Sequence, residues 1–158
     1  MMKKNILLIG VFIIVGVLFY TSCHKEGTGV TAVSKHNATN SHNNGQNCMT
    51  CHVKNGKGAG EGWFVVAGSV YKPDQITLNE NPTIHLYTQA NGSGTEVAKI
   101  EADAFGNFYT TEAIDFAGGL YPAVESASGG MQYMNQVTRT GACNGCHNSA
   151  SPGKIFCN

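Results

Sequence analysis

Six segments of the chain carry the apolar pattern of short strands. They cover residues 63–71, 83–88, 97–102, 105–109, 120–126 and 131–138. The run Thr83-Ile84-His85-Leu86-Tyr87-Thr88 alternates between apolar and polar residues with the period of two that a half-buried strand requires. Turn-forming residues such as Asn91-Gly92-Ser93-Gly94 separate the segments. No segment carries an amphipathic helical pattern of ten or more residues, so the pattern predicts a mainly β protein.

The first 22 residues have the layout of a signal peptide rather than of a folded element. Lys3 and Lys4 precede an apolar stretch over residues 6–20, which is shorter than the roughly 20 apolar residues of a membrane span. The leader ends in Leu18-Phe19-Tyr20-Thr21-Ser22-Cys23, a segment that resembles the lipobox of bacterial lipoproteins. That resemblance implies a lipid on Cys23 and an extracytoplasmic location, periplasmic or on the cell surface. Tyr20 departs from the usual leucine of a lipobox, so an uncleaved anchor or simple secretion remains open.

Residues 23–47 are rich in Ser, Thr, Asn, Gly and Lys and poor in large apolar residues. Such a composition buries too little apolar surface to offset the entropy of ordering, so it predicts a flexible tether. Balanced charge, with ten basic and ten acidic side chains among 158 residues, lacks the basic footprint of a nucleic-acid binder. We therefore expect no nucleic-acid partner.

Two short motifs in the strand-rich region resemble the carboxypeptidase-regulatory-like family. They are Gly68-Ser69-Val70-Tyr71 and Asp103-Ala104-Phe105-Gly106-Asn107-Phe108. The resemblance implies a small antiparallel immunoglobulin-like β-sandwich over residues 63–138. It implies no activity, because such sandwiches support many functions.

The strongest chemical signal is a five-residue motif that occurs twice, as Cys48-Met49-Thr50-Cys51-His52 and as Cys143-Asn144-Gly145-Cys146-His147. Two thiols three positions apart can each form a thioether to one edge of the same porphyrin, and the following histidine can then bind the iron. Both motifs resemble the haem-attachment signature of c-type cytochromes. The resemblance implies two covalent haem c groups, held in segments 48–62 and 139–158, with His52 and His147 as proximal ligands.

Other uses of these cysteines remain open at this stage. Two Cys-x-x-Cys pairs could form a four-thiolate zinc site, although the histidine after each pair would then have no role. Thioredoxin-like redox pairs require a βαβ context that the pattern lacks, and disulfides across such short loops would be strained. Cys157 belongs to neither pair and is predicted to be a surface thiol near the chain end.

Candidates for a sixth, distal iron ligand are His36, His42, His85, Met131 and Met134. His42 precedes the first motif by six residues, and His85 is predicted to face outward from its strand. A methionine ligand generally raises the potential of a haem relative to a histidine ligand. Each candidate also has an ordinary alternative: His36 and His42 as solvated tether residues, His85 as a surface residue, and the methionines as core packing.

These patterns favour an electron carrier that works with redox partner proteins and is not an enzyme. A non-redox binding module with zinc in the cysteine motifs is the alternative, and a haem peroxidase would need an open iron position that no motif identifies. An even number of six strands between the motifs further predicts that Cys51 and Cys146 lie at the same end of the sandwich.

Overall fold

The computed structural model describes residues 30–148, 150 and 152–158. The predicted signal peptide, Cys23 and the first part of the predicted tether lie outside these residues. Within the described part of the chain, no helix has the length and hydrophobicity needed to cross a membrane.

The described residues form eight strands and three short helical turns. The strands are β1 (Val66–Tyr71), β2 (Thr83–Tyr87), β3 (Glu96–Glu101), β4 (Asn107–Thr110), β5 (Tyr121–Glu125), β6 (Met131–Tyr133), β7 (Gly141–Ala142) and β8 (Ile155–Phe156). Two 3₁₀ turns span Cys48–Thr50 and Ala59–Glu61, and a one-turn α-helix, α1, spans Cys143–Cys146.

The strands form two four-stranded sheets, which confirms the predicted mainly β sandwich. The first sheet has the order β4-β1-β7, with β8 also paired to β1, and the second has the order β3-β2-β5-β6. Apolar side chains from both sheets share one buried core, which includes Val66, Val70, Ile84, Leu86 and Phe108. Removal of this apolar surface from water is the main force that holds the two sheets together.

The pairings along β1 are of two kinds. The predicted antiparallel arrangement holds for β1 with β4 and throughout the second sheet. In contrast, β7 and β8 both run parallel to β1, with Val66 opposite Gly141 and Val70 opposite Ile155. These two strands were not predicted, because two residues are too few to show a period. All six residues of β1 are buried, so this strand is covered on both faces.

Residues 30–47 do not form the flexible tether that their composition predicts. The backbone N–H of Ser34 donates to the carbonyl of Tyr109 at 3.0 Å, and that of Ala104 donates to the carbonyl of Ala38 at 3.0 Å. His36, predicted to be solvated, donates from Nε2 to the carbonyl of Pro82 at 3.2 Å. Hydrogen bonds rather than apolar burial hold this segment to the sandwich, so hydrophobicity gave no signal of its order.

Cys157 is not the surface thiol that its position near the chain end predicts. Pairing of β8 with β1 carries the side chain into the core, where it has 0% exposure. Asn79 Nδ2 donates to the Cys157 carbonyl at 2.8 Å. Burial raises the pKa of this thiol to about 11.

Candidate functional site

The two Cys-x-x-Cys-His motifs lie side by side. Asn144, inside the second motif, donates from Nδ2 to the carbonyl of Gln46, two residues before the first motif, at 2.9 Å. Gly145 also lies so close to Asn47 that an added Cβ on the glycine would be 3.3 Å from the side-chain nitrogen Nδ2 of Asn47. The predicted proximity is confirmed, but for a different reason. Seven strands separate the motifs, and β7 returns the chain to the edge of β1 by parallel pairing.

A cluster of three buried polar side chains fastens both motifs to the first sheet. Ser69 on β1 donates from its backbone N–H to Asn144 Oδ1 at 3.1 Å and from its hydroxyl to Asn107 Oδ1 at 2.6 Å. The Ser69 N–H lies between the part of β1 that pairs with β7 and the part that pairs with β8. The Asn144 amide therefore takes the place of a missing strand partner. We call Ser69, Asn107 and Asn144 the polar cluster.

The first motif begins with a capped turn that brings its histidine inward. Asn47 Oδ1 accepts from the Met49 N–H at 3.2 Å, as expected of an N-cap asparagine. The turn continues with the His52 N–H donating to the Cys48 carbonyl at 3.0 Å. His52 is consequently only 5% exposed, whereas Cys51 remains exposed.

The ring of His52 is held in a fixed orientation by its neighbours. It stacks on Phe64 with ring centres 4.0 Å apart and planes at 6°, and Phe64 in turn stacks on Tyr109. Gly58 lies against the ring, since an added Cβ there would come within 2.8 Å of Cε1. His52 Nδ1 is buried without a hydrogen-bond partner, and Nε2 lies 3.7 Å from a Glu61 carboxylate oxygen. A buried imidazole with an unpartnered nitrogen is a strong candidate for a ligand-binding group.

A cavity of about 270 Å³ opens beside this ring. Its walls include Cys48, Cys51, His52 and His42 together with the aromatic pair of Phe64 and Tyr109. Both thiols and the imidazole of the first motif therefore face one space, and a second imidazole faces it from the preceding segment.

The second motif is more open. Cys146 is exposed, His147 is half-buried, and Cys143 packs against the hydrophobic core. Burial raises the pKa of the Cys143 thiol to about 12, and the neighbouring Cys146 and Cys48 thiolates add to the shift. His147 Nδ1–H donates to the carbonyl of Gly153 at 3.0 Å, which leaves Nε2 available as a ligand. A backbone acceptor on Nδ1 is the usual device that orients a ligating histidine.

The thiols of the two motifs form no thiolate-bound metal site in the described part of the chain. The five cysteines in the described part of the chain are all free. Among the described residues, the one cluster of three potential metal ligands is His42, His52 and Glu61, which contains no thiol. The cysteines of the two motifs thus do not converge as the four-thiolate zinc alternative requires. Each motif instead presents two free thiols and one oriented imidazole.

Of the predicted distal ligands, only His42 lies at a motif. Both ring nitrogens of His85 are engaged by carboxylates, Nδ1 with Glu96 at 2.5 Å and Nε2 with Glu125 at 3.1 Å. Met131 begins β6 at the edge of the second sheet and Met134 follows this strand, whereas both motifs pack against β1 in the first sheet.

Sequence reasoning did not identify the residues that support the site. Asn144 occupies a variable position of the motif, and Phe64 is one aromatic residue among several in a predicted strand. No sequence signal distinguishes either residue, because their roles depend on contacts between distant parts of the chain. Comparisons with protein-family models, curated proteins and solved structures gave no match for this chain.

Proposed function

We propose that this protein is an exported, membrane-tethered dihaem c-type cytochrome that transfers electrons. The observation that carries the proposal is the adjoining pair of complete motifs, each with free thiols and a histidine held for ligation. Haem iron, when bound, cycles between its ferric and ferrous states and so carries one electron at a time.

Each cysteine and each histidine of the motifs has one task in this proposal. Cys48 and Cys51 hold one group through thioether bonds, and Cys143 and Cys146 hold the other. His52 and His147 bind the two irons. Phe64 fixes the ring plane of His52, and the Gly153 carbonyl fixes that of His147.

The short distance between the motifs supports exchange of electrons between the two centres. Asn144 joins the segments by hydrogen bonds and so limits their separation. Cys51 and Cys146 are exposed, which favours electron exchange with soluble redox partner proteins at this surface. A lipid on Cys23 would keep the domain at a bacterial membrane, on the extracytoplasmic side. The proposal assigns no catalytic reaction to the protein.

A spectrum tests this function directly. The chain is expressed with its leader in a bacterium that has a haem-attachment system, purified, and recorded in oxidised and dithionite-reduced forms. We expect a c-type difference spectrum that returns to its starting form on reoxidation. A purified protein without haem absorbance would refute the proposal.

A second candidate function is a non-redox binding module that contains a metal site. It is favoured by one observation, the convergence of His42, His52 and Glu61 with ligand atoms within 4.8 Å of one another. Two histidines and one glutamate form a common zinc ligand set. Metal analysis of the same preparation distinguishes the two candidates, since one zinc per chain without haem would support this second function.

A further inference from the structure

The position of His42 permits a more specific assignment than the motifs alone. We propose that His42 supplies the second axial nitrogen to the haem iron bound by His52. This inference rests on the proposed function, and it would make the first haem six-coordinate, with no open position at its iron.

The distance between the two imidazoles carries the inference. The ring centres of His42 and His52 are 6.0 Å apart, with planes inclined at 31°. A metal–imidazole bond is about 2 Å long and the ring centre lies roughly 1 Å behind its nitrogen, so two rings on opposite sides of one metal have centres about 6 Å apart. The nearest ligand atoms of the two rings lie within 4.8 Å of each other, which also agrees with a shared metal.

The two imidazoles also face the same cavity as the thiols of the first motif. Both rings line the cavity that the Cys48 and Cys51 thiols also face. A group attached through these thiols would therefore lie beside both imidazoles. His85 is already engaged on both ring nitrogens, and the methionine candidates lie by the edge of the other sheet.

The segment that carries His42 is fastened at both ends, although His42 itself is exposed. Before His42, Ser41 Oγ accepts from Asn107 Nδ2 at 2.8 Å. After His42, Asn44 Oδ1 accepts from the same nitrogen, and the Gly45 N–H donates to Ser69 Oγ at 2.9 Å. The polar cluster thus positions this loop as well as the second motif. A histidine held in this way loses less conformational entropy on ligation than one on a free tether.

The experiment compares haem-loaded variants by electron paramagnetic resonance and absorption spectroscopy, with covalent haem measured for each. We expect His42→Ala to convert about half of the haem, the first of the two groups, from low spin to high spin. Added imidazole should restore the low-spin signal. His36→Ala is the matched control on the same segment, and Glu61→Gln tests the third member of the cluster; both should keep the wild-type spectrum.

A second substitution covers the case in which His42→Ala fails to load haem. Because a methionine ligand generally raises the potential relative to histidine, His42→Met should raise the potential of one haem and leave the other unchanged. Fully loaded His42 variants with unchanged spin state and unchanged potentials would overturn the assignment while leaving the cytochrome proposal intact. Loss of the low-spin signal in Glu61→Gln would also overturn it. A wild-type protein without covalent haem would instead refute the proposed function itself.

Discussion

Replacement of Asn144 by leucine tests the hydrogen bonds that attach the second motif to β1 and to the first motif. The side chain is only 4% exposed and makes three hydrogen bonds, accepting from the Ser69 N–H and donating to the Gln46 carbonyl and the Ser69 hydroxyl. Leucine has a similar size but no polar atoms. The substitution therefore removes the hydrogen bonds without opening a large cavity.

The expected loss of stability follows from the groups that would be left without partners. The Ser69 N–H on β1 and the Gln46 carbonyl would both lose their partner at this site. A buried polar group without a partner costs about 1–3 kcal/mol, and water can reach the half-exposed side of the site, so we expect the free energy of unfolding to fall by about 2–4 kcal/mol. The second motif should also lose its attachment to the first, so we expect the magnetic coupling between the two proposed haems to weaken in the loaded protein.

Urea denaturation followed by circular dichroism measures the change, with exposed Asn135→Leu as the control. The control should change stability by less than about 0.5 kcal/mol, as surface substitutions usually do. A double-mutant cycle of Asn144→Leu with Ser69→Ala should give an interaction energy of about 0.5–3 kcal/mol, because the two residues share hydrogen bonds. Wild-type stability in Asn144→Leu, or strict additivity in the cycle, would refute the described attachment of the second motif to β1.

Four further predictions test other parts of the account. In haem-free protein at pH 8, a thiol reagent should modify the exposed thiols of Cys51 and Cys146 first. Cys157 should react only on unfolding, because it is buried and its pKa is raised to about 11. Equal rates of modification at the three thiols would contradict the burial of Cys157. Since that pKa lies above the ordinary value of 9.0, the contribution of Cys157 to stability should be present below pH 9 and lost towards pH 11, as a denaturation series in pH can test. Cys51→Ala should lower covalent haem by about one group per chain, and full haem content in this variant would reject attachment at Cys51. Cys23→Ser should release the protein from membranes or trap its precursor, and unchanged membrane attachment would reject lipidation of Cys23.

The larger strands could be predicted because each has its own local pattern. Segment 83–88 alternates, and β2 lies within it. In contrast, β7 and β8 are two residues long and exist only because β1 offers them an edge. A strand that depends on its partner leaves no period in its own sequence.

The candidate site could be predicted in its chemistry but not in its surroundings. The ten motif residues are local in sequence, so the paired thiols and the histidine that follows each pair were identifiable without a structure. The choice among His42, His85, Met131 and Met134 depended on tertiary position. His85 lies between the carboxylates of Glu96 on β3 and Glu125 on β5, which follow it by 11 and 40 residues, and nothing near it in the sequence indicates this.

The predicted tether failed for a different physical reason. Residues 30–47 bury little apolar surface, and low hydrophobicity normally indicates disorder. Here Ser34, Ser41 and Asn44 supply hydrogen bonds to the sandwich instead. Such bonds require matching groups on β3 and β4, which no composition rule can identify.

The mass of the intact mature protein tests the central claim most directly. The protein is expressed with a haem-attachment system and its mass is measured under denaturing conditions, so that only covalent groups remain. We predict a mass above that of the processed, modified polypeptide by two haem groups. A mature chain without any haem addition, above all one that carries zinc in its native state, would contradict the account.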